Sequence, residues 1–230
     1  MKTKIALFVL VLLILSVFSG CTGTGKNNKM TKLLYQGHAS FRLTAKNGTV
    51  IYIDPMAGSG YDLPANIVLV THDHFDHNQI NLVTQKKGCV VITSDEALKD
   101  GTYNTFNING IAIEAVEAIH AGMNCVGYIV TIDGVKLYHA GDTSRTDQME
   151  TFSGKNIDYA LLPVDGFYTM HATEAAQCAK IIGAKYNIPM HTGPFGAFNR
   201  PVLFNSDIAG QFDISNRLIL SPDEEIDLNL

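Results

Sequence analysis

The densest chemistry in this chain lies in six residues, His72-Asp73-His74-Phe75-Asp76-His77. They follow the apolar run Ile67–Val70 and Thr71 without a break. Three imidazoles and two carboxylates at the end of a buried strand are costly to desolvate unless they hold something positive. In extended chain, residues two apart point the same way, so His72 and His74 can grip one cation. Asp76 and His77 lie where the chain turns and can serve a neighbouring position. Neutral imidazole with carboxylate is a ligand set for zinc, manganese or iron.

The elements that must position these side chains are mostly short strands. Leu33–Gln36, Ser40–Ala45 and Thr49–Asp54 read as strands, with Asn47-Gly48 as a hairpin turn between the last two. Ile67–Val70 and Cys89–Thr93 are continuous apolar runs suited to buried strands. Ile111–Ile119, Val126–Ile132 and Val135–Ala140 continue the pattern, with Asp133-Gly134 as the next hairpin turn. Asp158–Pro163 and the segment before His191 add two more. The pattern predicts helices over Thr143–Phe152, Ala172–Ile182 and Val202–Phe212; the second has Gly183 just past its end. Strands first, then strands alternating with helices, imply two sheets with helices packed outside.

The chain has 230 residues, 46% of them apolar and 17% charged, with a formal net charge of -5. That composition excludes a disordered tail, a collagen-like fibre and a disulfide-dense mini-scaffold. The acidic balance argues against a nucleic-acid partner. Lys2 and Lys4, the apolar stretch Ile5–Phe18 and the small residues Ser19-Gly20 read as an export signal over 1–20, because the stretch is shorter than the roughly 20 residues of a bilayer span. Cys21 then resembles the lipidated cysteine of a lipobox, with Phe18 where Leu is usual. Residues 21–32 are polar and rich in Gly and Asn, and read as a flexible tether. A folded domain over 33–230 comes next. The expected protein is therefore exported and held at the extracytoplasmic membrane face by a lipid or signal anchor. Cys89, Cys125 and Cys178 sit among apolar neighbours and read as buried, inert thiols.

The histidine run resembles the HxHxDH signature of the metallo-β-lactamase superfamily. Later motifs fall in that family's order: His120 in EAIHAG, Asp142 in YHAGDT and His191 in IPMHTGPF. The resemblance implies an α/β fold, a four-layer αββα sandwich. It implies that His72, His74 and His120 hold one metal, that Asp76, His77 and His191 hold a second, and that Asp142 bridges them. GHASF, IDP at 53–55, LLPVDGFYTM and the closing SPDEEIDL narrow the resemblance to metal-dependent hydrolases related to L-ascorbate-6-phosphate lactonase and acylethanolamine phospholipase D. True β-lactamases usually lack an Asp at the bridging position, so Asp142 argues against that activity. Asp165 and His171 depart from the branch, standing where Gly is common.

The resemblance thus implies a hydrolase that uses a hydroxide bridging two divalent cations, zinc first and manganese second, on an ester, lactone or phosphodiester. Its substrate would be a small or lipid-like molecule. Asp76 would orient the nucleophile, and the leaving group would be protonated by water or by a pocket histidine, for which His38 is the candidate. His38 and Asp54 also read as groups that orient ligands by hydrogen bonds. Tyr168, His171 and Arg200 would rim the pocket. His139 has the opposite strand parity to Asp142 and reads as structural. Two alternatives are an iron-dependent redox enzyme of the same fold and a non-catalytic, metal-containing surface lipoprotein.

Overall fold

A computed structural model describes residues 29–56, 58–120, 122–193 and 200–229. The expected signal segment, most of the tether and Cys21 lie outside the described residues.

The chain enters through β1 (Thr31–Gly37), β2 (Ser40–Thr44), β3 (Val50–Ile53), β4 (Ala65–Leu69) and β5 (Gln85–Ile92). A short helix α1 (Ser94–Ala97) and the small hairpin β6 (Leu98–Lys99) and β7 (Thr102–Tyr103) lead on to β8 (Thr105–Ile108). Strands β9 (Ile111–Glu117), β10 (Val126–Ile132), β11 (Val135–His139), β12 (Tyr159–Pro163) and β13 (Tyr186–Met190) follow. Helix α2 (Ala172–Ile182) joins β12 to β13, and α3 (Ser206–Gln211) precedes the last strand, β14 (Glu224–Leu228). Two six-stranded sheets result, ordered β14-β1-β2-β3-β4-β5 and β13-β12-β11-β10-β9-β8. Each is mixed: β3, β4 and β5 run parallel, as do β11, β12 and β13, and the other pairs are antiparallel.

Side-chain alternation explains the layering. Ile51, Ile53, Ile67 and Leu69 face the main core between the sheets, while Val50, Tyr52, Val68 and Val70 form a second apolar cluster on the far side. Both faces of the central parallel strands are therefore buried, which is why they read as unbroken apolar runs. Helix α2 packs against β12 and buries Ala175, Cys178, Ala179 and Ile182. This is the expected α/β sandwich. Over the first sheet's far face the outer layer is thin: Tyr61, Leu63 and Ile80 cover it, and Ile80 opens only a single 3₁₀ turn, Ile80–Leu82. No helix of the described residues is long and apolar enough to cross a membrane.

Both hairpin turns form where the sequence places them. Asp133 and Gly134 have φ of 52° and 89°, the pairing of positive values that suits a two-residue turn between twisted strands. Two helices differ from expectation. Thr143–Phe152 is not α-helical; a 3₁₀ segment covers Asp147–Lys155, because Thr143 is held in the loop, its Oγ1 accepting from Ile119 N and donating to Ser144 O. The third helix begins only at Ser206. Asn205 caps it through Asp207 N and Ile208 N, and the carbonyls of Val202 and Leu203 are committed to β1 and its turn. Strand β8 was not anticipated, and β5 begins four residues earlier than Cys89. Cys125 and Cys178 are buried as expected, whereas Cys89 is only partly covered on the edge strand β5.

Candidate metal centre

The parallel strands β3, β4, β12 and β13 end at one rim of the sandwich, and the chemistry sits just past those ends. Open α/β sheets place their sites at this edge. Asp54 follows β3, His72 lies three residues past β4, and Asp165 lies two past β12. His191 follows β13, Asp142 lies three past β11, and His120 three past β9. His38 follows β1. Three of these residues, His38, Asp54 and His191, have φ of 55°, 47° and 46°. A left-handed backbone is unfavourable for a residue with a side chain, and such strain gathers at functional sites. Here it lets the chain leave the sheet while the side chain turns to the rim. The backbone holds these turns through His38 N to Leu203 O (2.6 Å), His191 N to His38 O (2.8 Å) and Asp54 N to Leu69 O (2.9 Å).

The side chains converge in overlapping groups whose donor atoms lie within 4.8 Å of one another: His72, His74 and His120; His38, Asp76, His77 and His191; and His72, His77 and Asp142. The turn closed by His77 N and Asn78 N on His74 O swings Asp76 and His77 away from His74, so one short run supplies both main groups. In the first, His72 Nε2 is 3.1 Å from His74 Nδ1, and His120 Nε2 is 3.4 Å from the same atom. Neutral imidazoles bring lone pairs together at that distance only around a proton or a cation. In the second, Asp142 Oδ2 lies 3.3 Å from His191 Nε2 and 3.5 Å from His77 Nε2, and it also reaches 3.9 Å from His120 Nε2 of the first group. His77 Nε2 and Asp142 Oδ1 are buried without a hydrogen-bond partner. Unsatisfied buried donors and acceptors in native proteins call for a ligand, and this set suits borderline divalent cations.

Behind the convergent atoms stands a second tier. Asp54 accepts from Thr71 N (2.7 Å), Thr71 Oγ1 (2.7 Å) and His77 Nδ1 (2.8 Å). Thr71 Oγ1 also lies 3.0 Å from His72 Nδ1. Both rings are thus turned with Nδ1 backwards and Nε2 towards the rim. Asp165 does the same for His191: its Oδ2 is 3.1 Å from His191 Nδ1, while Oδ1 accepts from the N–H groups of Phe167, Tyr168 and Thr169.

Burial and neighbouring charge set the protonation of the metal-free site. Burial, with the nearby His77, pushes His72 down to about 3. Burial also lowers His120. Burial would lower His191 too, but the Asp142 carboxylate, with the Asp165 carboxylate beside it, outweighs it and raises it to about 9. His77 is likewise raised against burial, by Asp142 and Asp54. Against burial, His191 and His77 hold Asp142 well below the carboxylate range.

A cleft of about 220 Å³ opens onto these atoms, with His74, Asp76, His120, Asp142 and His191 inside it and Phe75 and Tyr168 as apolar walls. The structure therefore gathers all seven residues expected as ligands, and it places Asp54 and Tyr168 where the sequence pattern put them. Three expectations change. His38 is wholly buried; its Nε2 lies 3.1 Å from Asp76 Oδ2 and its Nδ1 3.2 Å from Val202 O, so it braces Asp76 from behind and does not line the cleft as a proton donor would. His171 is exposed at the N-cap of α2 and lines a separate cleft with Thr173 and Gln211. Arg200 is exposed and is not among the described residues lining the central cleft. His139 is a core residue: it is fully buried, lies 2.8 Å from Ala39 O and packs edge-on against Phe41. Asp165 as the partner of His191 was missed. The available signal was an Asp just past a buried strand, the same placement as Asp54.

Comparison with known proteins agrees with this geometry. A family model described as a beta-lactamase superfamily domain matches residues 32–191. A UPF0173 metal-dependent hydrolase of Lawsonia intracellularis is 34% identical over 72% of this chain and 84% of its own length. A solved structure of a metal-dependent hydrolase from Parabacteroides distasonis superposes with a TM-score of 0.65 at 26% identity, covering 83% of this chain and 91% of that one. A structure from Thermotoga maritima, described as a Zn-dependent hydrolase, gives a TM-score of 0.57 at 29% identity, covering 80% and 87%. Its fold, the order of its motifs and these relatives place the chain in the metallo-β-lactamase superfamily, among the metal-dependent hydrolases.

Proposed function

We propose that this protein hydrolyses an ester, lactone or phosphodiester with two divalent cations, zinc first and manganese second, held side by side at the strand-end rim. The observation that carries this reading is the position of Asp142, whose one carboxylate reaches His120 of the first group and His77 and His191 of the second. His72, His74 and His120 would hold one ion, Asp76, His77 and His191 the other, with Asp142 between them. Two such ions would supply hydroxide at neutral pH and polarise the carbonyl or phosphoryl oxygen of the substrate. Asp76, held by His38, orients the nucleophile towards the cleft. Asp54 and Asp165 keep His77 and His191 turned to the rim. With His38 buried, the leaving group takes its proton from water. The zinc-dependent description of the Thermotoga relative favours zinc here.

The test is metal content of the purified chain together with turnover on aryl esters, lactones and phosphodiesters. About two zinc or manganese per chain with hydrolysis is the expected result. Iron with oxygen-dependent chemistry, or a filled site with no turnover, sinks the reading. The same proposal places the protein at the extracytoplasmic membrane face through Cys21. Changing Cys21→Ser should move it from the membrane fraction to the soluble fraction; an unchanged distribution removes the lipid anchor.

A further inference from the structure

Building on the hydrolytic reading above, we infer that the central cleft takes an uncharged carboxylic ester, open-chain or cyclic, whose apolar acyl or aryl group packs between Phe75 and Tyr168. Two independent features carry this.

The first is charge. Four buried carboxylates surround the site: Asp54, Asp76, Asp142 and Asp165. Their formal charges match those of two divalent cations, so the loaded site offers an anion little net attraction. No Lys or Arg is among the described residues that line the cleft. Sites built for phosphate groups usually present Arg or Lys to the non-bridging oxygens. A phosphodiester would keep its negative charge beside Asp76 and Asp142 with no such partner, whereas a neutral ester brings none.

The second is the apolar wall. Phe75 and Tyr168 line the cleft yet remain 54% and 43% exposed. Phe167, 72% exposed, packs edge-on against Tyr168 with ring centroids 4.6 Å apart. Large apolar side chains that stay partly exposed at the rim of a polar cleft mark a surface that a ligand can contact. The reaction balances without a co-reactant. The hydroxyl of water joins the acyl carbon, the acyl carbon–oxygen bond breaks, and the remaining proton goes to the leaving oxygen, giving an acid and an alcohol.

The test compares the metal-loaded chain on p-nitrophenyl esters from acetate to hexanoate with bis(p-nitrophenyl) phosphate. The expected kcat/KM rises by up to about fourfold per added methylene, and the phosphodiester is the poorest substrate. Phe75→Ala and Tyr168→Ala should flatten that chain-length dependence through KM. Binding is read separately on the metal-free chain: hexyl phenyl ether, an uncleavable neutral analogue, should displace the neutral probe N-phenyl-1-naphthylamine, and both variants should bind the probe more weakly. A flat chain-length series, or a probe that neither binds nor is displaced, overturns the inference. Cleavage of the phosphodiester in preference to the esters overturns the substrate class and leaves the hydrolase standing. No turnover of any substrate by the loaded chain overturns the hydrolase reading, and this inference with it.

Discussion

The two main donor groups differ in how they are held. His72, His74 and His120 meet at the cleft with little behind them: Thr71 Oγ1 backs His72, His120 Nδ1 has no hydrogen-bond partner, and His74 is only partly buried. The other group is more closely backed, although His191 Nδ1 and Asp165 Oδ2, 3.1 Å apart, also make no hydrogen bond. Asp54 stands behind His77, Asp165 behind His191 and His38 behind Asp76. Two of its members, His38 and His191, sit on left-handed backbone that the sheets hold in place. One short run of sequence therefore feeds a loosely supported group and a pre-organised one. Carboxylate-backed imidazoles are better ligands with fixed ring orientation, so the second group should discriminate between metals by geometry, and the first should adapt.

The largest expected effect comes from the residue common to both groups. Asp142→Ala should reduce turnover to the background rate and lower bound metal at both positions, read by elemental analysis and kinetics. Loss at one position only would show that the groups are independent. Asp76→Ala and His77→Ala should also abolish turnover while sparing the His72 group; retained activity in either would refute the two-ion scheme. Next comes chelation. A metal present at about 100 times its dissociation constant stabilises the folded state by roughly 2.7 kcal/mol per site, so a chelator should lower Tm measurably in a calorimetric scan. An unchanged Tm would mean that the groups hold no metal in the folded chain.

Smaller effects should separate the two groups. Asp54→Asn and Asp165→Asn should weaken binding at the braced group by about 10- to 100-fold and leave the other group near its original affinity, as two-step titration calorimetry would resolve. Equal weakening of both would remove the contrast.

Protons give a further separation. His72, pushed down to about 3, is neutral at pH 7, whereas His191, raised to about 9, is charged until a metal displaces its proton. Metal uptake by the braced group should therefore release protons near neutrality and tighten as the pH rises towards 9, with no such dependence contributed by His72. Titration in buffers of different ionisation enthalpy reads this directly, and equal proton release by both groups would break the comparison. In the metal-free chain, the raised His191 contributes stability below the ordinary histidine range and loses it as pH climbs through about 9. Asp165, which burial would raise but His191 and backbone N–H groups hold down to about 2, contributes above the ordinary carboxylate range and loses it as pH falls towards 2.

The smallest expected effect is that of Thr71→Val. Its hydroxyl joins Asp54 to His72, and removing it should cost about 1 kcal/mol with a slight loss of metal affinity at both groups. A loss confined to one group would show that the link does not couple them.

Much of this was legible in the chain itself. The run from His72 to His77 declares a cation site because ligand chemistry needs those residue types at short spacing, and spacing is local. The central strands declare themselves because burial on both faces demands continuous apolar residues. Helix α2 was readable from its apolar face and the Gly183 stop. Which distant group stands behind which ligand was not readable. Asp54 and Asp165 both precede their histidines by more than twenty residues, and only the parallel strands bring them to one rim. His38 was legible as a site residue, but its role was not, because the Asp76 carboxylate and the Val202 carbonyl that enclose it arrive from other parts of the chain. The same folding set His171 in a separate cleft and left Arg200 exposed. Residue types and local spacing pointed to the cation-binding run His72–His77, and the resemblance in motif order pointed to the remaining donor residues and the fold class. Tertiary structure decided the bracing, the strain and the character of the cleft walls, because those depend on contacts between segments whose separation carries no local pattern.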